Sequence, residues 1–485
     1  MASKDKAGLP YALNICAFTP DVPFCADPHD HITVLCGYLK RIAPQQVQET
    51  LETSEEIENL SHFVTDFLGK LQTKYHIEPL PKITEPRSYF ESWLNETKNY
   101  NDNRKNQLRK TFNQYMNNGQ NLTYRDYNCK SFIKREFYEE PKFPRLINSR
   151  TDIFKVSIAP YIHNIEKQMY KLKWFVKHNT PQEIASKFQH INKYNYFLET
   201  DYSSFESCFS NKYCDAVELQ LFYYFFQNNL DIYYQILQCY YHGDKNRITK
   251  LKNEEYIAYA SECRFSGEMW TSLGNGFSNL MNMLYLCEKY DIKAKGLVEG
   301  DDAIFCLNKN IIKPQDYEKL GFRIKMKYEK NIINTTFCGI TYDSENNRLL
   351  APPEQIARMG WTCHAQYLNS RQKILLGLLK AKAMSVYSTT PCTPILGPLA
   401  FKIIQLTLSI QALENTVYHK WIIKFEKTFR YQEIRMSTRI LYSEKYGISL
   451  AQQEVCENII RDAKTLQDIQ LPFYFLEHVN TAQLW

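Results

Sequence analysis

The pattern of apolar and polar positions changes character along the chain. Proline-punctuated loop (Pro20, Pro23, Pro28) opens it, and a helical 3.6-residue pattern follows from about Gln45 to Leu71. From Tyr194 to Leu350 short β-rich runs alternate with long helical runs, which predicts an α+β layer of helices against a small sheet. After Pro352 and Pro353 the pattern is almost entirely helical, most clearly over Lys373 to Tyr387, Leu399 to Leu413 and Val417 to Tyr442. No internal repeat and no Ser/Gly-rich linker cuts the chain, so one integrated multi-lobed body is expected. The longest apolar stretch, Ile395 to Ile410, contains Pro398, Lys402 and Gln405. It reads as a packed helix with a proline near its start, not as a membrane span.

Composition narrows the class. With 485 residues, 44% hydrophobic and 23% charged, the chain is that of an ordinary globular protein, and a largely disordered, collagen-like or disulfide-stapled molecule is excluded. No pair among the 14 cysteines has C-x-x-C spacing, so neither a zinc site nor a disulfide framework is expected. With no secretory signal at the N-terminus, the expected setting is reducing, with the thiols mostly buried. The net charge of +6 is unevenly spread: Lys98 to Arg150 holds 12 Lys/Arg against 5 Asp/Glu. Such a patch suits a polyanion, because neutralising phosphates releases condensed counterions. Taken alone, a solvated basic face explains it equally well.

Four segments carry candidate chemistry. In Tyr196-Phe-Leu-Glu-Thr-Asp201-Tyr-Ser-Ser-Phe-Glu206 an apolar run delivers Asp201 to a strand end, where a carboxylate can hold a metal; Ser203 and Glu206 also fit a capping box. In Gly296-Leu-Val-Glu-Gly300-Asp301-Asp302-Ala-Ile-Phe-Cys-Leu307 two apolar arms flank a Gly-Asp-Asp tip, the pattern of a tight β-hairpin with carboxylates at its apex. Acids between such arms are costly unless they face a cation, and with Asp201 they would form the anionic cage of a two-metal phosphoryl-transfer site. The stretch Ser266-Gly-Glu-Met-Trp-Thr271-Ser-Leu-Gly-Asn275-Gly-Phe-Ser-Asn279 is a glycine-containing loop running into a helix. Phe277, Leu280, Met281 and Leu284 give that helix an apolar face, and Asn275, Asn279 and Asn282 form a polar stripe on another. The stripe reads either as a ribose and template reader or as a hydrated helix side. Lastly, Phe132-Ile-Lys134-Arg135-Glu136 and Lys142-Phe-Pro-Arg145-Leu-Ile-Asn-Ser-Arg150 alternate apolar residues with cations, as triphosphate recognition requires.

In this order the segments resemble the fingers cation motif and the palm motifs of RNA-dependent RNA polymerases from positive-strand RNA viruses. They look closest to the tombusvirus-like and nodavirus-like branch, with its K-x-E, P-R-x-I-x-x-R, D-x-S-x-F, S-G-x-x-x-T-S-x-x-N and G-D-D strings. Leu320-Gly-Phe-Arg-Ile-Lys325 looks like the family's lysine-bearing palm motif, and Phe337-Cys338-Gly339 resembles its primer-grip hairpin.

The resemblance implies an α+β closed right hand with a small antiparallel palm sheet and a helical thumb. Its parts would be an N-terminal extension and fingers over 1–195, a palm over 196–350 with an inserted fingers segment at about 207–265, and a thumb over 351–485. It implies two Mg²⁺ ions, with Mn²⁺ as a substitute, held by Asp201, Asp301 and Asp302. Lys134, Arg145 and Arg150 would grip the triphosphate, and Asn275 with Ser266 and Thr271 would sense the ribose. Lys325 would protonate pyrophosphate, with Lys327 close enough to compete. Where many relatives have Asp five residues after the first metal acid this chain has Glu206, which leaves its part in ribose selection open. The implied partners are template and nascent RNA, ribonucleoside triphosphates and other viral replication proteins. The implied setting is the cytoplasm of an infected cell, including membrane-associated replication complexes reached through another protein or segment. A reverse transcriptase-like polymerase usually presents Tyr-x-Asp-Asp where this chain has Glu299-Gly300-Asp301-Asp302. A non-catalytic RNA-binding protein would account for the basic stretch and the 35 tyrosines but not for three converging carboxylates.

Overall fold

The computed structural model describes residues 12–28, 30–41, 50–98, 100–138, 143–241, 248–251, 257–259, 263–414 and 430–476. At its centre is a four-stranded antiparallel sheet with strands in the spatial order Ala294–Glu299, Asp302–Leu307, Tyr196–Tyr202 and Ile324–Glu329. Both faces of this sheet are covered, which is why its strands are apolar at consecutive positions instead of alternating. Leu198, Tyr202, Val298, Ala303, Phe305 and Ile324 point into the largest core, among the helices Leu51–Tyr75, Asp152–Met169, Glu218–Phe226 and Thr271–Lys289. Phe197, Leu297, Ile304 and Cys306 face the opposite way, onto Phe188 of the helix Pro181–Ile191 and onto Phe337, Tyr342 and Leu349. The α+β reading and the small antiparallel sheet are thus present.

A second four-stranded sheet joins the basic stretch to a distant segment. Cys129–Ile133 pairs antiparallel with Leu146–Arg150 and parallel with Ile248–Leu251, which pairs in turn with Ile257–Tyr259. The segment at about 207–265 therefore returns to residues far upstream of it.

The expected helices after residue 351 form as Gln372–Thr389, Leu396–Leu406, Met436–Tyr446 and Leu450–Asp462. Leu396–Leu406 stops short of Leu413 and packs Leu399, Ile403 and Ile404 into a core with Leu378, Leu379, Cys456 and Ile460, with Pro398 in its first turn. Among the described residues no helix is long and apolar enough to cross a membrane. Of the expected Val417 to Tyr442 helix, residues 417–429 lie outside the described residues, and 430–435 are not helical: the helix starts only at Met436, after an extended Arg435.

A boundary at 195 does not keep the N-terminal segment apart from the C-terminal helices. Ile15 and Phe18 belong to the C-terminal core, Leu13 and Asn14 pair with Thr362 and Trp361, and buried Asp21 accepts from the N–H groups of Phe475 (2.9 Å) and Leu476 (3.1 Å). Ten of the 14 cysteines are buried and all are free thiols, as expected.

Candidate active site

The edge strand 294–299 and its neighbour 302–307 form a hairpin whose last pair is Glu299 opposite Asp302, leaving Gly300 and Asp301 as a two-residue turn. Gly300 has φ +62°, and a Cβ there would meet nothing within 4 Å. The glycine is therefore required by the left-handed backbone, not by crowding. The turn is held from below: Asn279 Nδ2 donates to the carbonyl oxygens of Gly300 (3.2 Å) and Asp301 (2.9 Å), and Asn279 Oδ1 accepts from Tyr202 Oη (3.2 Å). Asn279 is 0% exposed, as is Asn282, whose Oδ1 accepts from Tyr213 Oη at 2.8 Å. The expectation of a hydrated helix side does not hold at these two positions, because the helix is buried on that side as well; both amides are engaged with the protein itself.

Strand 196–202 brings Asp201 to the same end of the sheet. Thr200 lies opposite Ala303, so the next step of the ladder sets Asp201 beside Asp302 on one face. On its other edge Asp201 is directly opposite Lys325, while Lys327 is opposite Glu199 and ion-paired with Glu329 at 2.8 Å. Lys325, the residue preferred from the sequence, thus stands beside Asp201, and its competitor Lys327 beside Glu199.

The acids act on one another electrostatically. Burial pushes the Asp301 carboxyl above its ordinary range, with Glu206 and Asp201 adding to the effect and Arg145 opposing it. Burial, Asp301 and Asp201 push Asp302 up to about 6, against a hydrogen bond from the Cys338 thiol. Cys338 and Gly339 form the tip of a tight turn with φ +52° and +68°, closed by Phe337 and Ile340, so this turn abuts the acids. Among the described residues no three His, Cys, Asp or Glu side chains are close enough to form a ready-made metal cage. The donor set nevertheless fits a hard divalent cation: it is all oxygen, and mutual repulsion raises its affinity for positive charge.

Asp201, Asp301 and Asp302 line a cleft of about 770 Å³ whose other wall is cationic. Lys134, Arg135 and Arg145 enter it from the loop between strands 129–133 and 146–150. Burial opposes ionisation of Glu136, yet Arg145 and Lys134 hold its carboxyl down at about 2; Arg145 donates to it from Nε at 2.7 Å and Nη2 at 2.6 Å, and Lys134 Nζ lies at 3.0 Å. Arg135 Nη1 is buried with no hydrogen-bond partner. The C-terminal part adds Arg358, His364 and Lys382 to the lining. Lys382 donates to the carbonyls of Arg358, Met359 and Trp361 at 2.7–2.8 Å, tying that wall to its helix. The candidates drawn from sequence omit Arg135, although it stands in the same Lys-Arg-Glu triplet. Arg358 and Lys382 carry no local signal, since only the fold brings them here.

The remaining candidates divide. Glu206 Oε1 accepts from Ser266 Oγ at 3.0 Å, and the one-turn helix Phe205–Cys208 has no side-chain cap, so the capping box with Ser203 does not form. Thr271 Oγ1 accepts from the Gly267 N–H at 3.1 Å and donates to the Glu268 carbonyl at 3.0 Å, closing the loop on itself. Asn275 is buried and its Oδ1 has no partner. Arg150 is set apart from Lys134 and Arg145: it is buried, bonded to Glu268 and to the Tyr127 carbonyl, and it does not line the cleft.

No family model matches the chain. Curated relatives do: it is 28% identical over 218 residues to the RNA-directed RNA polymerase of Greasy grouper nervous necrosis virus, a match covering 41% of this chain and 21% of that protein. It is 26% identical over 209 residues to that of Atlantic halibut nervous necrosis virus, with the same coverage, and 27% identical over 218 residues to that of Striped jack nervous necrosis virus, covering 41% and 20%. The chain thus spans about a fifth of the length of the curated relatives it matches. Over two-fifths of its length it is similar to RNA-directed RNA polymerases of nodaviruses, the resemblance that its motifs carry.

Proposed function

We propose that the chain is a viral RNA-dependent RNA polymerase that transfers nucleotides from ribonucleoside triphosphates to an RNA 3′-hydroxyl and releases pyrophosphate. The observation that carries this reading is one cleft with Asp201, Asp301 and Asp302 on its floor and Lys134, Arg135 and Arg145 on its wall. Residues 196–350 would be the palm, 1–195 with about 207–265 the N-terminal extension and fingers, and 351–485 the thumb of a closed right hand.

Asp201, Asp301 and Asp302 would hold two divalent cations, Mg²⁺ or Mn²⁺, which when bound would lower the pKa of the attacking hydroxyl and offset charge on the leaving group. Lys134 and Arg145, which share the Glu136 carboxylate on the wall of the cleft, would orient the triphosphate. Lys325 would give its proton to the departing pyrophosphate; its register opposite Asp201, and the ion pair that Lys327 makes with Glu329, support it over Lys327. Ser266, Glu206 and Asn275 would examine the ribose, and the 337–339 turn would support the primer end beside Asp302. Template and product RNA, and further viral replication proteins in the infected cell, would be its partners.

The test is nucleotide incorporation by the purified chain on an RNA template with Mg²⁺, comparing ribonucleotides with deoxyribonucleotides. Ribonucleotide-selective extension is expected. Tight RNA binding with no incorporation of either would mark a binding protein instead, and a preference for deoxyribonucleotides a reverse transcriptase.

A further inference from the structure

The loop carrying Ser266 is fixed at both ends by ion pairs closed to solvent. Arg264 pairs with Glu218, their side chains 1% and 0% exposed, and Glu218 also accepts from Tyr240 Oη at 2.8 Å. Four residues on, Glu268 pairs with Arg150, each 4% exposed. Between the pairs the Ser266 carbonyl accepts from the Asn148 N–H at 2.7 Å. Gly267 has φ +127°, and a Cβ there would lie 2.6 Å from the Asn148 oxygen. Strand 146–150 therefore seats the loop twice, by backbone at Asn148 and by charge at Arg150. A buried ion pair adds little net stability, because desolvating two charges offsets their attraction. Its effect is on register, since neither charge can shift without leaving the other unpaired.

We infer that the Arg150–Glu268 pair is a positioning device for sugar selection. It sets the depth of the Ser266–Gly267 loop and so the direction in which Ser266 presents the Glu206 carboxylate, and Arg150 is not a triphosphate ligand. The inference rests on the polymerase reading above. Its physical content is that Arg150 and Glu268 act as a unit on discrimination while leaving triphosphate affinity alone.

The experiment measures KM for a ribonucleotide, and the ratio of kcat/KM for ribonucleotide over deoxyribonucleotide, in the full chain on one RNA template. Glu268→Gln and Arg150→Lys should each lower the ratio by about tenfold while KM for the ribonucleotide stays within about threefold. General destabilisation lowers both substrates alike and leaves the ratio unchanged. The inference is overturned if Arg150→Lys raises KM about tenfold while Glu268→Gln changes neither quantity, the outcome for a phosphate contact. Should the single variants not fold, the paired Arg150→Met, Glu268→Met variant removes both charges at similar volume: preserved KM with a lowered ratio supports the inference, and a raised KM overturns it. Wild-type chain that extends no primer would sink the polymerase reading, and the inference with it; active wild type with unchanged selectivity in every variant sinks the inference alone.

Discussion

The side-chain amide of Asn279 donates to the Asp301 carbonyl at 2.9 Å, so a helix residue with no access to solvent holds the backbone of the Gly-Asp-Asp turn. Through Oδ1 the same side chain accepts from Tyr202, next to Asp201. Asn279→Ala would leave the Gly300 and Asp301 carbonyls and the Tyr202 hydroxyl without this partner, at a cost of about 1–3 kcal/mol. The turn would loosen without loss of any carboxylate. Steady-state kinetics should show kcat falling by more than KM rises, and urea unfolding should show the lowered midpoint. A variant with wild-type kcat would mean that the turn needs no such support.

Asp301→Asn and Asp201→Asn should abolish nucleotide transfer while leaving RNA affinity and the thermal midpoint near wild type. Each amide keeps the shape but removes the charge that a divalent cation requires, and the removal relieves repulsion among neighbouring acids. Elongation at a near-normal rate with Mg²⁺ in either variant would refute the two-cation assignment.

Much of this site is legible in the chain because its chemistry sits in short runs. The Gly300-Asp301-Asp302 hairpin and the Asp201 strand follow from apolar arms around acids, and the register of the sheet then joins them. What stays hidden is decided by burial. Arg150 looks like Arg145 in sequence, yet strand 146–150 places it in the interior against Glu268, 118 residues away. Asn279 and Asn282 look like a hydrated stripe because helical periodicity does not reveal that the helix is covered on that side too. The cations Arg358 and Lys382 reach the cleft only through the packing of the C-terminal helices, which no local pattern encodes.

Burial pushes the Glu166 carboxyl up to about 7, against a hydrogen bond from Tyr170 and the charge of Lys177. The folded chain therefore holds this proton where the unfolded chain, with a value near 4.5, has released it. The folded state binds more protons in that window, so this group makes stability fall as pH rises from about 4.5 to 7. Glu166→Gln removes the penalty. Urea midpoints of variant and wild type should coincide at the acid end of the window and separate in favour of the variant above it. A constant difference across the range would show that Glu166 does not titrate there.

On the polymerase reading, ribose selection is where Glu206 replaces the commoner Asp, and the bond from Ser266 to Glu206 bears on it. Glu206 is not spent on a cap; its carboxylate is held by Ser266 Oγ at 3.0 Å and lies close enough to raise the Asp301 carboxyl. Asn275 offers a buried Oδ1 with no partner, an acceptor suited to a donating hydroxyl. Asn275→Ala should therefore erode the preference for ribonucleotides by roughly ten- to hundredfold, the worth of one buried hydrogen bond to a 2′-hydroxyl. Glu206→Gln retains the shape and an acceptor for Ser266 but loses the charge. If the carboxylate itself orients the ribose, selectivity falls in this variant too while the thermal midpoint holds. Single-nucleotide incorporation with matched ribo- and deoxyribonucleotides measures both effects, and unchanged sugar selectivity in the two variants together would exclude the pair as the reader of the ribose.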